Sequence, residues 1–227
     1  MTARGSSAGV TSAGWGSLSD AWVTAVCTLG GSEGAARPDG SDLEQRYSEP
    51  HRRYHTGVHV RAVLADGAWI ADALALAAPD RALLTLAACA HDVVYDARPG
   101  DDERASAQWA RRALDSAGLS ASEVRRVEQL ILSTLAHEAP AGDPVAAVLL
   151  DADLAILAAE PSVYDGYAQA VRDEYSRVPD DLWRVGRQNV LNSLLGRGSI
   201  FVTAPAIDRW ESAARANLER ELSKLAV

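Results

Sequence analysis

From Asp42 to its end the chain repeats apolar residues every three to four positions, with short breaks between blocks. No stretch shows the two-residue alternation of a half-buried strand. In 227 residues that spacing admits chiefly one construction, helices stacked on helices around one core. Alanine and leucine dominate, and β-branched or aromatic runs are short, so local propensity agrees with the periodicity. The spacing predicts helices near 42–50, 56–77, 80–96, 102–117, 121–138, 144–159, 163–177, 180–197 and 205–225. A shorter one precedes them, capped by Ser19 or Asp20, with Trp22, Val26 and Leu29 on its apolar side. Start signals are explicit at Ser120 with Glu123, a capping box, and at Asp143-Pro144, a cap followed by a first-turn proline. "GGSEGAARPDGSD" reads as a loop, and residues 1–17, small, polar and glycine-rich, as a disordered tail. The expectation is a single all-α domain over 18–227, a bundle of about eight to ten helices.

Charge narrows the partners. A formal net charge of -9 argues against nucleic acid or an anionic membrane held by bulk attraction. Cys27 and Cys89 carry neither metal spacing nor a disulfide framework, and Cys89, inside "LLTLAACA", reads as a small buried hydrophobe. No stretch reaches the length of a membrane span, and no basic region followed by an apolar run opens the chain. The cytoplasm is the expected address, and an oligomer is left open.

Three of the five histidines, His51, His55 and His59, lie in "EPHRRYHTGVHV" at a spacing of four. On helical wheels His59 falls on the stripe of Val63, Gly67, Ile70 and Leu74. His91 falls among Leu83, Ala87, Ala90 and Val94, with Asp92 beside it. Asp153 lies about 40° from Leu149 on the stripe of Val145, Leu149 and Ile156, whereas Asp151 points nearly opposite. A buried carboxylate needs a positive partner. A lone histidine on an apolar face is usually a hydrogen-bonded core residue. Two histidines and two carboxylates brought inward together instead suit one divalent transition ion, Mn, Fe, Co, Ni or Zn, whose open positions would hold and acidify water.

The arrangement "H…HD…D" on successive helices resembles the HD-domain metal-dependent phosphohydrolase superfamily. The strings "RYSEPHRRYHTGVHV", "AHDVVYD", "LLDADLAIL", "EYSRVPD" and "GRQNVL" are similar to a branch of mostly predicted hydrolases. The resemblance covers roughly residues 42–225 and the tryptophan-bearing segment near 15–29. It implies His59, His91, Asp92 and Asp153 as metal ligands, with Asp151 a cap or a supporting partner. "HDVVYD" is also similar to the "HDVVED" of alarmone pyrophosphohydrolases, with Tyr95 where the glutamate stands. There the acidic pair is thought to handle the attacking water, and Asp96, one helical turn beyond Asp92 in the expected helix and facing the same cleft, is the candidate base; the other reading is a cap.

Arg52 and His55 are candidates for the non-bridging phosphate oxygens, His55 alternatively capping the first core helix. His51 reads as structural. His137 is a candidate second-metal ligand or phosphate donor, and the shortage of further histidines favours one metal. Of Arg184, Arg187 and Arg197, Arg187 is the candidate for the cleft. "GDDE" at 100–103 reads as a helix start, and the tyrosines and tryptophans as core or pocket wall. The implied activity is hydrolysis of a small phosphorylated metabolite, most naturally a nucleotide. Its rivals are cleavage of a pyrophosphate linkage, a paired-iron oxygenase, and a metal-containing binding or regulatory protein without turnover.

Overall fold

A computed structural model describes residues 16–226, so the expected tail at 1–17 lies almost wholly outside the described residues. Among those described the architecture is all-α. The order is α1 (Leu18–Thr28), α2 (Glu33–Arg46), α3 (Gly57–Ala73), α4 (Ala78–Ala90), α5 (Asp101–Ser116), α6 (Ala121–Ser133) and α7 (Pro144–Leu154). A 3₁₀ turn (Ala155–Ala158), α8 (Pro161–Glu174), α9 (Asp180–Leu195) and α10 (Ala204–Leu225) complete it. No described helix is long and apolar enough to cross a membrane.

The centre belongs to the helices whose sequence is apolar on every side. α4 buries Leu83, Leu84 and Leu86 through Ala90, and α7 buries every residue from Val145 to Ala152. α4 packs on α1, α3, α5, α6 and α7, and α3 packs on α7. The start signals at Ser120 and Asp143 hold, whereas α1 is capped by Ser17, whose Oγ accepts from Asp20 N at 3.0 Å, and not by Ser19 or Asp20. Ser120 Oγ accepts from Glu123 N while Glu123 Oε2 accepts from Ser120 N, and Asp143 Oδ1 accepts from Ala146 N.

Two kinds of expectation change: an expected loop is a helix, and two helices end early. The segment expected as a loop is most of α2, despite Gly34, Gly40 and Pro38 within it. Ala36, Gly40, Leu43 and Tyr47 form a buried helical stripe, which outweighs the weak propensity. Gly40 serves the packing: a Cβ there would stand 2.5 Å from Ser19 Oγ and 3.1 Å from Ser19 Cα, so α1 and α2 approach through it. The other change is α4, which stops at Ala90 instead of continuing to 96. Arg52 takes the carbonyls of Asp92 and Val93, and Ser106 Oγ pairs with both backbone groups of Val94. These bonds from elsewhere hold the chain in a loop. α6 likewise ends at Ser133, which leaves His137 in the loop before α7.

Candidate metal centre

The early stop of α4 aims the two residues that follow it. His91 is the C-cap and is buried, and its Nδ1 donates to the Ala88 carbonyl at 2.9 Å. In the neutral ring that leaves Nε2 as an acceptor turned inward. His91 Nε2 lies 3.1 Å from His59 Nε2, which comes from the first turns of α3. Asp153, near the end of α7, places Oδ1 3.2 Å from His59 Nε2 and 3.5 Å from His91 Nε2. Asp92 Oδ2 stands 3.0 Å from His91 Nε2 and 3.6 Å from His59 Nε2.

His59, His91 and Asp153 therefore form a group able to hold a metal ion, their ligand atoms all within 4.8 Å of one another. Asp92 faces both histidines of that group. The electrostatics are those of crowded acceptors that need positive charge at their midpoint. Burial works to raise the Asp92 and Asp153 carboxyls, and the neighbouring imidazoles overcome it, His91 foremost, holding both well below the usual carboxylate range. Conversely, burial would lower His59 and His91, and the two carboxylates raise them, His91 strongly. A divalent cation satisfies the same set of two imidazole nitrogens and two carboxylates without those protons.

Around the group the remaining candidates separate. His55 faces it: Nε2 lies 3.9 Å from Asp92 Oδ2, while Nδ1 donates to Glu174 Oε2 at 2.7 Å. His137 donates from Nε2 to Asp153 Oδ2 at 3.1 Å, so the two oxygens of Asp153 are divided between the group and His137. His137 has a φ of 47°, a left-handed conformation unusual outside glycine, and Arg197 binds its carbonyl at 2.9 Å. Asp151 is buried on the far side of α7, where Oδ1 and Oδ2 accept the amides of Val202 and Thr203, both at 2.7 Å. His51 binds the Tyr95 carbonyl at 2.7 Å, a structural role.

Three candidates are committed to other contacts or lie outside the cavity. Arg52 does not reach a substrate position. Its buried guanidinium donates to Glu49 and to the carbonyls of His55, Asp92 and Val93, which fixes the loop carrying Asp92. Asp96 is exposed and outside the cavity, because the helix that would have set it one turn from Asp92 has already ended. Arg187 does line the cavity, but its Nε and Nη2 pair with the Glu221 carboxylate at 2.7 and 2.9 Å. Arg184, named with it, is exposed.

The sequence reading missed Glu174 and Asp102. Glu174 Oε1 accepts three consecutive amides, of Arg53, Tyr54 and His55, at 2.7, 2.9 and 3.0 Å, while Oε2 holds the His55 ring. One signal was available: a glutamate as the last residue of a helix opposes the macrodipole and needs another reason to be there. Asp102 accepts the amides of Asp96 and Arg98 at 3.0 and 2.7 Å, closing the loop beyond Asp92. "GDDE" otherwise starts α5 as expected, with Glu103 accepting from Gly100 N at 2.6 Å. Cys89 is buried and burial pushes its thiol up to about 12, in keeping with an inert core residue.

The group opens into a cavity of about 560 Å³ lined by Asp92, Asp153, His55, His137, several tyrosines and parts of α8 and α9. No protein-family model matches the chain, and no curated protein matches it.

Proposed function

We propose that this chain is a metal-dependent phosphohydrolase of the HD type, acting on a small phosphorylated metabolite, with a nucleotide as the best candidate. The observation that carries the reading is the convergence of His59, His91, Asp92 and Asp153 at the wall of a cavity large enough for such a molecule. The donor set fits one divalent transition ion, held by those four side chains. When bound, the ion supplies Lewis acidity toward a phosphoryl oxygen and acidifies water at neutral pH.

The chain's own residues supply orientation. Arg52 holds the backbone of the Asp92 loop, and Glu174 fixes the turn that presents His55. With Nδ1–H committed to Glu174, the His55 ring turns Nε2 toward the cavity, where in the imidazolium form it can donate to a phosphoryl oxygen. His137 lines the same cavity and, with Nε2 donating to the second oxygen of Asp153, orients that ligand. Glu174 acts through His55 and is a positioning residue.

The test is a screen of protein loaded separately with Mn, Fe, Co, Ni or Zn against phosphate esters and nucleotides, reading orthophosphate and pyrophosphate separately. Hydrolysis with at least one ion, reduced to background by chelator and by His91→Ala, is expected. Bound metal without hydrolysis of any compound would favour a binding or regulatory protein. Failure to bind any ion would end the metal reading.

A further inference from the structure

One face of α9 runs along the cavity. Asn189 and Ser193 stand one turn apart on it, and Arg197 follows at the same spacing. The helix ends at Leu195, but its C-cap, Gly196, keeps right-handed geometry (φ -73°, ψ -12°) and carries Arg197 onward in step. All three residues line the cavity together with Asp92, Asp153 and His137. An asparagine or serine on a helix ordinarily faces bulk water. Here both face the cavity, and neither side chain has a hydrogen-bond partner among the described residues.

Arg197 differs from the other arginine of the lining. Arg187 is neutralised by the Glu221 carboxylate, which takes Nε and Nη2 at 2.7 and 2.9 Å. Arg197 gives Nη1 to the His137 carbonyl at 2.9 Å and Nη2 to the Ala136 carbonyl at 3.0 Å. Carbonyls fix a guanidinium without cancelling its charge, and its other N–H groups stay available. Among the described residues no carboxylate forms an ion pair with it. The lining carboxylates outside the ligand group, Asp102 and Glu103, are turned to backbone amides about the start of α5. His137 joins the two ends of this wall: its carbonyl holds Arg197, while its Nε2 donates to Asp153 Oδ2 at 3.1 Å. A fixed, uncancelled positive charge thus stands at the end of a stripe of neutral donors, with His137 alone between it and Asp153.

We infer that Asn189, Ser193 and Arg197 form an oxyanion subsite, and that the substrate carries a second anionic group, phosphoryl or carboxylate, besides the phosphoryl group at the metal centre. This rests on the phosphohydrolase reading and narrows it. The amide of Asn189, the hydroxyl of Ser193 and the remaining N–H groups of Arg197 can all donate, which suits a group that only accepts. Because Ala136 and His137 already hold the guanidinium, binding costs little further ordering of that side chain. A substrate with one anionic group leaves the half-buried charge facing water. A second one turns it to charge-assisted hydrogen bonds.

The experiment uses the full chain, loaded with the ion that the metal screen selects, or as purified if it binds none. Probes come in matched pairs that differ by one anionic group. Adenosine 5′-monophosphate is paired with the 5′-diphosphate and with the 3′,5′-bisphosphate, and glycerol 3-phosphate with 3-phosphoglycerate. Turnover is read as orthophosphate and pyrophosphate, and affinity by calorimetry. Expected is a gain of at least about tenfold in kcat/KM and in affinity for the doubly anionic member of at least one pair. The phosphoryl and carboxylate pairs then decide which group the subsite takes. Arg197→Gln is expected to cut that gain to about twofold or less, whereas Arg197→Lys keeps part of it. If Arg197 only held the 136–137 loop, Arg197→Gln would weaken both members of a pair alike and leave their ratio unchanged. That result, or no gain in any pair, overturns the subsite. Should Arg197→Gln not fold, Asn189→Ala and Ser193→Ala decide, since neither removes a side-chain bond within the described protein; a gain left intact in both overturns it. If no ester is turned over, the phosphohydrolase reading fails while the calorimetric ratios still judge the subsite, and a chain that binds no doubly anionic probe lacks it.

Discussion

The two carboxylates of "LLDADLAIL" are separated by about 200° around α7, and that angle decides what each one meets. Asp153 meets two imidazoles and a third beyond them, whereas Asp151 meets the amides of Val202 and Thr203 in the stretch that starts α10. Asp153→Ala is therefore expected to lose the metal and retain a folded apo protein, since it removes a buried charge. Asp151→Ala is expected to keep the metal and to lose about 2–4 kcal/mol of stability, because two amides are left without their acceptor. Metal analysis and urea unfolding of both variants measure this; metal loss confined to Asp151→Ala would mean that the site is built around the other carboxylate. His59, His91 and Asp153 were legible because each falls on or beside an apolar stripe that periodicity exposes, and Asp92 through its place next to His91. Arg52 and Asp96 were not legible. Arg52 is explained by carbonyls 40 and 41 residues away, and Asp96 by a helix end that those same bonds impose.

At the scale of elements, the link between the end of α8 and the turn before α3 presents His55. Burial would raise the Glu174 carboxyl, but the His55 imidazole and the amides of the Arg53–His55 turn bring it down to about 2. A carboxyl depressed in the folded state stabilises the protein above its unfolded value, and that stabilisation is lost as pH falls from about 4.5 toward 2. Glu174→Gln is thus expected to be less stable than the parent by about 2–3 kcal/mol at pH 6, with the gap closing as pH approaches 2. Denaturant melts of both proteins across that range check it, and a gap independent of pH would mean that the carboxylate's charge contributes nothing. The same variant should lower kcat more than it changes metal content, because His55 loses its orientation while the four ligands remain. Most helices were legible from spacing and caps. α2 was not, because Gly34, Pro38 and Gly40 argue locally for a loop, and the buried stripe of Ala36, Gly40, Leu43 and Tyr47, with Gly40 fitted against Ser19, outweighs them. The ends of α4 and α6 were overrun because apolar spacing continues past the residues at which tertiary hydrogen bonds take over.

Over the whole molecule, the ligand group joins elements that are distant in sequence and central in space. His59 comes from α3, His91 and Asp92 from the end of α4, and Asp153 from α7, and these three helices pack on one another in the core. In the metal-free chain their four ligand side chains lean on protons for neutralisation, whereas a bound cation would hold all three elements at one point. An unfolded chain offers no such preformed set, so metal affinity for the native state becomes folding stability. At free metal about a hundredfold above Kd the linkage is worth about 2.7 kcal/mol, which for a chain of this size raises Tm by roughly 5–10 °C. Calorimetric scans with and without the preferred ion should show that rise in the parent and in Asp151→Ala relative to its own lower baseline. The rise should vanish in His91→Ala and in Asp153→Ala. Asp96→Asn should show it in full, since Asp96 lies outside the cavity. A metal-dependent rise that survives His91→Ala would locate the ion elsewhere in the bundle. No rise in the parent at saturating ion would mean that the four side chains are held together by their own protons and ion pairs alone.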